Sequence, residues 1–416
     1  MPEINGNVIV QTIKPKNKWI FMLDKRYIIF LFNLFIMAGL MAQGSQLVEY
    51  ESIVTGARQY QKYESKIRGK VVAVVANMAS TVGDKHLVDF LLEKEVRIAK
   101  VFSPEHGFRG DKDDGARVDR NIDAETGIQL VSLYGQHKKP TYSDLENIDV
   151  VIFDLQDVGV RFYTYISTLT YVMEACAENG VKLIVLDRPN PNGFYVDGPV
   201  LEEKYKSFVG MHPVPIVYGM TIGEYAKMVN GENWLYNGLQ CDLTVIPLEN
   251  YSRNMIVKLP IKPSPNLPNW ESIYLYPSLC LFEGTVVSVG RGTRMPFQIY
   301  GHPQIVYGSF VFTPFPNAGS KKPKLQGEKC YGQNLKGYAH NYKNNESGLN
   351  LLWLTEAYKT LNNDSTFFNN YFEKLAGTDK LRKQIEKEVS QQKIKKSWQQ
   401  GIKKFKAIRE KYLIYN

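Results

Sequence analysis

The sequence predicts an α/β protein: a Rossmann-like domain built on a parallel sheet, followed by a smaller α/β C-terminal domain. In the N-terminal half, apolar runs rich in β-branched residues alternate with helical patterns, and a Pro- and Asn-rich segment at 258–270 then interrupts them. Strands that alternate with helices indicate a parallel sheet covered on both faces. A chain of 416 residues is also too long for one ordinary core and long enough for two domains.

The predicted elements of the first domain follow one another closely. KVVAVVAN (70–77) is a β-branched run that ends in turn formers, and IDVVIFDLQDVG (148–159) is the strongest strand pattern. A helix with apolar spacing ends at Gly180, a residue type that commonly closes helices. In chain order we expect a strand at 70–77, a helix at 84–95, strands at 96–102, 128–135 and 148–159, a helix at 167–180 and a strand at 181–193.

The first 43 residues predict a secretory signal. Lys25 and Arg26 form a basic flank, an apolar run extends from Tyr27 to Met41, and small residues at 38, 39 and 42 offer a cleavage site. The run is short for a transmembrane helix, so we expect an exported, periplasmic protein with no stable membrane span after cleavage. The alternative is an uncleaved anchor helix.

Three segments therefore make up the predicted organisation. They are an N-terminal extension with signal peptide at 1–43, the Rossmann-like domain at 44–258, and an auxiliary domain at 259–416 that closes a cleft. The boundary lies near KLPIKPSPNLPNW (258–270), where Pro and Asn leave no room for a strand or helix.

The net charge of +9 is concentrated in the C-terminal tail. From Phe372 onward there are thirteen Lys or Arg against five Asp or Glu, and the signal segment holds a further five against two. A nucleic-acid surface across the main body is therefore not indicated. Trp398, Ile402 and Phe405 recur at helical spacing, which favours a packed amphipathic helix over a contact with the cell wall or membrane surface.

The common cofactor and metal motifs do not occur in this sequence. GxGxxG, HExxH, GxSxG and CxxC are all missing, and the six histidines are scattered. We therefore predict no cofactor and no metal. Cys176, Cys241, Cys280 and Cys330 permit three disulfide pairings, among which the sequence does not choose.

Polar clusters follow three of the predicted strands, where open parallel sheets bind ligands. The first is SPEHGFRG, in which Glu105 follows a proline and precedes His106 and a glycine. A carboxyl group aimed into a cleft by such a turn can act as a general acid. The structural alternative is that Glu105 caps the next helix or pairs with Arg109.

The second and third clusters are DLQDVGVRFYTY and DRPNPNG. Of Asp154 and Asp157, one is expected to hold the loop and the other to serve as a second catalytic or sugar-binding carboxylate. Arg161 and Tyr163 alternate along the chain, so they share a side of an extended segment, and an arginine beside tyrosines suits a ligand with a carboxylate and a flat apolar face. A buried structural arginine is the alternative. Asn190 lies between prolines and offers an amide.

In the second domain, charged residues lie among glycines. EGTVVSVGRGT contains Glu283 and Arg291, and the arginine either closes over a ligand or stabilises the domain interface.

The motifs above resemble, together and in order, the exo-β-N-acetylmuramidases of peptidoglycan recycling, a glycoside hydrolase family long described as a domain of unknown function. The resemblance also includes PSPNLPNW, EGTVVSVGRGT-x-x-PFQ and the final W-x-x-x-I-x-x-F, and it covers almost the whole mature chain. The sequence departs from the expected pattern at His302, in the wall of the second domain.

The resemblance implies a Rossmann-like catalytic domain that releases N-acetylmuramic acid from the non-reducing end of peptidoglycan fragments. By matching motifs, it implies Glu105 as the catalytic glutamate with His106 beside it, and it places Asp157, Arg161, Tyr163, Asn190 and Arg291 in corresponding segments; Glu283 is added as a substrate-binding residue. Muramic acid carries a lactyl carboxylate, for which Arg161 or Arg291 is the expected cation.

Two questions remain open at the level of sequence. The role of the second carboxylate, expected at Asp157, depends on a separation that the sequence does not give. Two other functions compete: a non-catalytic periplasmic glycan- or muropeptide-binding protein, and an amidase or esterase, for which the sequence has no nucleophile motif.

Overall fold

A six-stranded parallel sheet forms the centre of the N-terminal domain. The computed structural model describes residues 46–48, 50–105, 107–109, 122–306, 308–341, 348–361 and 366–416. The strands of the sheet are β2 (Val71–Ala76), β5 (Arg97–Ser103), β6 (Gln129–Ser132), β7 (Val150–Asp154), β8 (Lys182–Leu186) and β9 (Leu243–Ile246). Their spatial order is β6-β5-β2-β7-β8-β9 and every neighbouring pair is parallel. Taken in chain order this is 3-2-1-4-5-6, the arrangement of Rossmann folds, and the predicted fold class is confirmed.

The central strands are apolar along their whole length because both faces of the sheet are covered. In β2, Ala73 and Val75 point into one hydrophobic cluster, and Val72 and Val74 point into a second cluster on the opposite face. The helices of this domain are α1 (Tyr60–Ile67), α2 (Leu87–Glu93), α3 (Tyr142–Leu145), α4 (Tyr165–Asn179) and α5 (Ile222–Gly231). As predicted, α4 ends at Gly180, which adopts the left-handed conformation with φ 65°.

The C-terminal domain is smaller and contains an antiparallel sheet of three strands. The strands β11 (Ile299–His302), β13 (Cys330–Asn334) and β12 (Phe310–Phe312) lie side by side in that order. The helices are α6 (Trp270–Leu279), α7 (Lys336–His340), α8 (Leu352–Thr360), α9 (Phe372–Ala376), α10 (Lys380–Glu386), α11 (Gln391–Ser397) and α12 (Gln399–Arg409). Short strands outside both sheets are β1 (Gln46–Val48), which pairs with β10 (Met255–Val257), and β3 (Thr81–Val82), which pairs with β4 (Lys85–His86).

The segment that joins the two sheets is packed against the protein. Leu267 is buried, and Asn269 caps α6 by accepting from the backbone N–H of Ser272. The larger hydrophobic cluster continues from the parallel sheet into the C-terminal helices, as far as Phe405. Residues Ser45–Asn416 accordingly form one compact unit.

The basic tail ends in a packed amphipathic helix, as the apolar spacing predicts. Ile402 and Phe405 of α12 are buried, whereas Lys403 and Lys404 on the same helix are exposed. The tail therefore contributes core contacts on one side and a solvated cationic face on the other.

The four cysteines are buried free thiols. Within the described ranges, no helix is long and apolar enough to cross a membrane, and no group of His, Cys, Asp or Glu is arranged to hold a metal ion. The predicted signal segment at 1–43 lies outside the described residues.

Candidate active site

A cavity of about 440 Å³ opens at the carboxyl edge of the parallel sheet. One side is built from the loops that follow β5, β6 and β7, and the other from residues of the C-terminal domain between 276 and 375. The Pro- and Asn-rich segment contributes Ser264, Asn266 and Leu267. The position agrees with the general rule that ligands bind beyond the carboxyl ends of parallel strands, and the volume falls within the usual range of small-molecule sites, ~300–1,000 Å³.

Glu105 lies in the cavity wall, two residues after β5 ends. Its Oε2 accepts a hydrogen bond from the Thr164 hydroxyl at 3.1 Å. The turn continues through Gly107, whose φ of 81° is a conformation that glycine adopts without strain. His106, predicted to assist Glu105, lies outside the described residues.

Arg109 holds the same loop from outside the cavity. Its guanidinium donates to Asp123 at 3.0 Å and 2.9 Å and to Asp89 at 3.1 Å and 3.0 Å. The ion pair with Arg109 lowers the pKa of Asp123. Arg109 therefore fixes the base of the turn against α2.

The start of α4 supplies four consecutive residues to the cavity wall: Phe162, Tyr163, Thr164 and Tyr165. The Tyr163 hydroxyl donates to the carbonyl of Pro263 at 2.8 Å, which ties this turn to the segment before α6. Burial raises the pKa of Tyr163 well above its ordinary value, so the ring stays neutral. Aromatic rings of this kind offer flat apolar surface to a ligand.

Glu283 and Arg291 face the cavity from the C-terminal domain. Arg291 Nη1 and Glu283 Oε2 are 3.2 Å apart, and both side chains are partly exposed, at 27% and 21%. Behind them Lys324 donates to the carbonyls of Phe282 and Val287 at 3.0 Å and 3.2 Å. Burial lowers the pKa of Lys324. The lysine thus holds the backbone on both sides of Glu283 through these two hydrogen bonds.

Asp157 does not reach the cavity wall. The carboxylate is buried, accepting from the backbone N–H of Gly159 at 2.7 Å and from the Tyr218 hydroxyl. Burial raises the pKa of Asp157 to about 6. Asp154 is equally enclosed, with both oxygens bound by Arg188 at 2.6 Å and 2.8 Å. Asp157 therefore holds the loop after β7, and Asp154 holds the segment after β8 through Arg188.

Arg161 is also outside the cavity, contrary to the expected role in carboxylate binding. Its side chain is fully buried and donates to the carbonyls of Pro199 at 2.9 Å, Val214 at 2.7 Å and Leu375 at 2.9 Å. Burial lowers its pKa to about 9. Because both terminal nitrogens bind backbone carbonyls of the two domains and the side chain is fully buried, the guanidinium ties the domains together and is not presented to a ligand.

Asn190 has a structural place as well. Its Nδ2 donates to the carbonyl of Met220 and its Oδ1 accepts from Asn192 N–H, both at 2.8 Å. The amide lies against Gly159, where an added Cβ would come within 2.5 Å of Asn190 Cγ. This contact explains why position 159 is occupied by glycine. His302 lies at the end of β11 and is not part of the cavity wall, so the departure in sequence there does not alter the cavity.

Several residues of the cavity wall do not belong to the motifs that the sequence analysis identified. Lys138 and Tyr134 come from the loop after β6, Phe208 from a loop with no marked pattern, and Tyr371 from the start of α9. The rule that ligands lie beyond strand ends points to the loop after β6, because Tyr134 and Lys138 follow its last residue, Ser132. Phe208 and Tyr371 carry no such signal.

Comparison with known proteins gives consistent matches over most of the chain. The family model described as "Exo-beta-N-acetylmuramidase NamZ, N-terminal" matches residues 72–271, and its C-terminal counterpart matches residues 274–415. The peptidoglycan beta-N-acetylmuramidase NamZ of Bacillus subtilis (strain 168) is 38% identical over 383 residues, which cover 85% of this chain and 89% of that protein.

Solved structures show the same fold. Two DUF1343 family proteins from Bacteroides fragilis NCTC 9343 superpose with TM-scores of 0.82 and 0.73, at 47% and 27% identity. In both cases the match covers 88% of this chain and 99% of the other. The two family models together with the Bacillus relative show that this chain belongs to the exo-β-N-acetylmuramidase family.

Proposed function

We propose that the chain is an exo-acting glycoside hydrolase that releases N-acetylmuramic acid from the non-reducing end of peptidoglycan fragments. Two lines support this: membership of a family named for that activity, and a cavity that contains two carboxylates among aromatic side chains. The presence of Glu105 and Glu283 in one cavity is the observation that carries the proposal, because glycosidases generally act through a pair of carboxyl groups.

The roles follow from the position of each carboxylate. Glu105 lies in the cavity wall within the PEHG motif that the resemblance implies as catalytic, and it is the general acid, giving its proton to the glycosidic oxygen so that the leaving sugar departs as a neutral alcohol. Glu283 is held beside the Arg291 cation and is the second carboxylate, facing the positive charge that develops at the anomeric carbon. Water then supplies the new hydroxyl at that carbon and returns a proton to the carboxylate pair. Asp157, expected in that role from the sequence, is enclosed behind the wall.

The test is turnover of a disaccharide that begins with N-acetylmuramic acid, because its sugar leaving group needs a proton from the general acid. We expect steady release of N-acetylmuramic acid by the wild-type protein, and a loss of at least about 100-fold in kcat for Glu105→Gln and for Glu283→Gln, the usual scale of an essential proton-transfer or charge-stabilising group. Glu64→Gln is the matched control, because Glu64 pairs with Arg68 on the surface of α1.

Three outcomes would contradict the proposal in different ways. More than a tenth of wild-type turnover in a folded Glu105→Gln variant would remove Glu105 from the acid role. Tight binding of the sugar without turnover by the wild-type protein would identify a binding protein. Release of a free acid or amine in place of a sugar would indicate an amidase or esterase.

We further propose that residues 1–43 direct export, because their basic flank and apolar run have the form of a signal peptide and the proposed substrate lies outside the cytoplasm. Mass spectrometry of the protein recovered from the cell envelope fraction should find an N terminus close to residue 43. A full-length chain confined to the cytosol would contradict export.

A further inference from the structure

The loop after β6 brings two adjacent lysines to very different surroundings. Lys139 points away from the cavity and pairs with Glu174 at 3.2 Å and Glu178 at 2.7 Å on α4. Lys138 is part of the cavity wall, where its Nζ lies 4.7 Å from the centre of the Phe208 ring. Of these two adjacent lysines, Lys139 thus forms ion pairs on α4 and Lys138 faces the cavity.

Phe208 positions the ammonium of Lys138 without neutralising it. An aromatic face attracts a cation through its quadrupole but carries no net charge, and the N–H donors of the ammonium stay available to an anion. The ring itself is held in place, since it stacks on Tyr171 of α4 at 6.0 Å between centroids and 12° between planes. Among the described residues no carboxylate forms an ion pair with Lys138, in contrast to Lys139.

The other cations near the cavity are already engaged. Arg161 is fully buried and donates to three backbone carbonyls. Arg291 forms an ion pair with Glu283, the carboxylate assigned to the reacting centre. Lys324 lies behind the wall against backbone carbonyls. Lys138 is therefore the cavity cation whose charge is not offset by a carboxylate of the described chain.

We propose that Lys138 and Phe208 form a subsite for the carboxylate substituent of the substrate sugar, with Lys138 binding the carboxylate and Phe208 holding the lysine in place. This inference rests on the proposed function, since N-acetylmuramic acid differs from N-acetylglucosamine by a lactyl ether that ends in a carboxylate. An enzyme that selects the former needs a cation whose charge the protein leaves uncompensated. The subsite makes Lys138 a specificity residue and gives it no part in proton transfer.

The test compares two substrates that differ only in this charge: 4-nitrophenyl β-N-acetylmuraminide and its lactyl methylamide. For Lys138→Met we expect kcat/KM to fall about 10-fold on the acid, the low end for a hydrogen bond to a charged group at a partly exposed site. On the amide the change should stay below about 2-fold. Because the contact is remote from the reacting bond, the loss should be chiefly in KM.

Two further variants separate recognition from a structural effect. Lys138→Arg keeps the charge and should retain most of the preference for the acid. Lys139→Met removes the same charge from the adjacent position, outside the cavity, and should leave the ratio of the two substrates unchanged. Circular dichroism and thermal unfolding establish that each variant is folded.

The outcomes separate a failure of the proposed subsite from a failure of the proposed function. If the wild-type protein hydrolyses neither substrate, the proposed function fails, and calorimetric binding of N-acetylmuramic acid to wild type and Lys138→Met then tests the subsite alone. If the wild-type protein is active and Lys138→Met lowers both substrates equally, or neither, the subsite is refuted. Equal binding of N-acetylmuramic acid by the two proteins would refute it as well.

Discussion

Replacement of Gly159 by alanine tests how the loop after β7 is built. Gly159 has a φ of 75°, and an added Cβ would lie within 2.5 Å of Asn190 Cγ. The variant therefore incurs two costs. Left-handed backbone costs a residue with a Cβ about 1–2 kcal/mol. Displacing the Asn190 amide breaks its bonds with Met220 and Asn192, and each buried group left unpaired costs about 1–3 kcal/mol.

The free energy of unfolding should accordingly fall by about 3–8 kcal/mol for Gly159→Ala. Gly180→Ala is a matched control, because Gly180 has a φ of 65° and no atom within 4 Å of an added Cβ. It incurs only the backbone cost, about 1–2 kcal/mol. The effect of alanine on the unfolded chain is common to both variants, so the difference of about 2–6 kcal/mol measures the contact with Asn190.

Urea denaturation followed by circular dichroism measures this difference, and a double variant makes it specific. Since Asn190→Ala vacates the space that the new Cβ needs, the Gly159→Ala/Asn190→Ala protein should be at least about 1 kcal/mol more stable than the sum of the two single effects. If Gly159→Ala and Gly180→Ala destabilise the protein equally, within about 0.5 kcal/mol, the packing of the Asn190 amide against Gly159 is contradicted.

Two further predictions concern residues that the sequence assigned to the site. Burial raises the folded-state pKa of Asp157 from 3.8 to about 6, so ionisation of this carboxyl group destabilises the folded state as pH rises from about 4 to about 6. Urea titrations at several pH values should show the free energy of unfolding of Asp157→Asn rising by up to ~3 kcal/mol relative to wild type across that window. A difference that is independent of pH would contradict the enclosed carboxylate. Arg161→Met leaves three buried carbonyls without their donor, each at a cost of about 1–3 kcal/mol, and should lower the free energy of unfolding by at least about 3 kcal/mol. The ratio of kcat/KM on muraminide to that on glucosaminide should stay within about twofold, and a selective loss on the muraminide would show that Arg161 binds the substrate.

The parallel sheet could be predicted from the sequence because its signal is local. The strands at the centre of the sheet are buried on both faces and read as continuous apolar runs, and the residues beyond their carboxyl ends include Glu105 and Tyr163. The rule that ligands bind at this edge then indicates the right loops. Glu283 and Arg291 were singled out as charged residues among glycines and again by the resemblance in motif, and the fold brings them to the same cavity.

Arg161 could not be placed from the sequence because the alternation argument assumes an extended segment. In the structure the residues from Arg161 onward form a turn that leads into α4, and the side chains of four successive residues after it line the cavity. Arg161 itself points into the interior, where its partner Leu375 lies more than 200 positions away along the chain. No local pattern reports such a partner.

Lys138 was missed for a similar reason. Nothing in the sequence distinguishes it from Lys139, and the two differ only through what the fold places beside them: the ring of Phe208 in one case, Glu174 and Glu178 in the other. Asp157 illustrates the reverse case, since a carboxylate in a strand-end motif looks catalytic until its hydrogen bonds to Gly159 and Tyr218 show that it faces inward.

A crystal structure of the Glu105→Gln variant with a bound disaccharide that begins with N-acetylmuramic acid tests the central claim most directly. We expect the muramic acid in the cavity of about 440 Å³, with the amide that replaces the Glu105 carboxyl group at hydrogen-bond distance from the glycosidic oxygen, and with Glu283 on the other side of the anomeric carbon. A sugar bound elsewhere, or bound here with the glycosidic oxygen out of reach of position 105, would contradict the assignment.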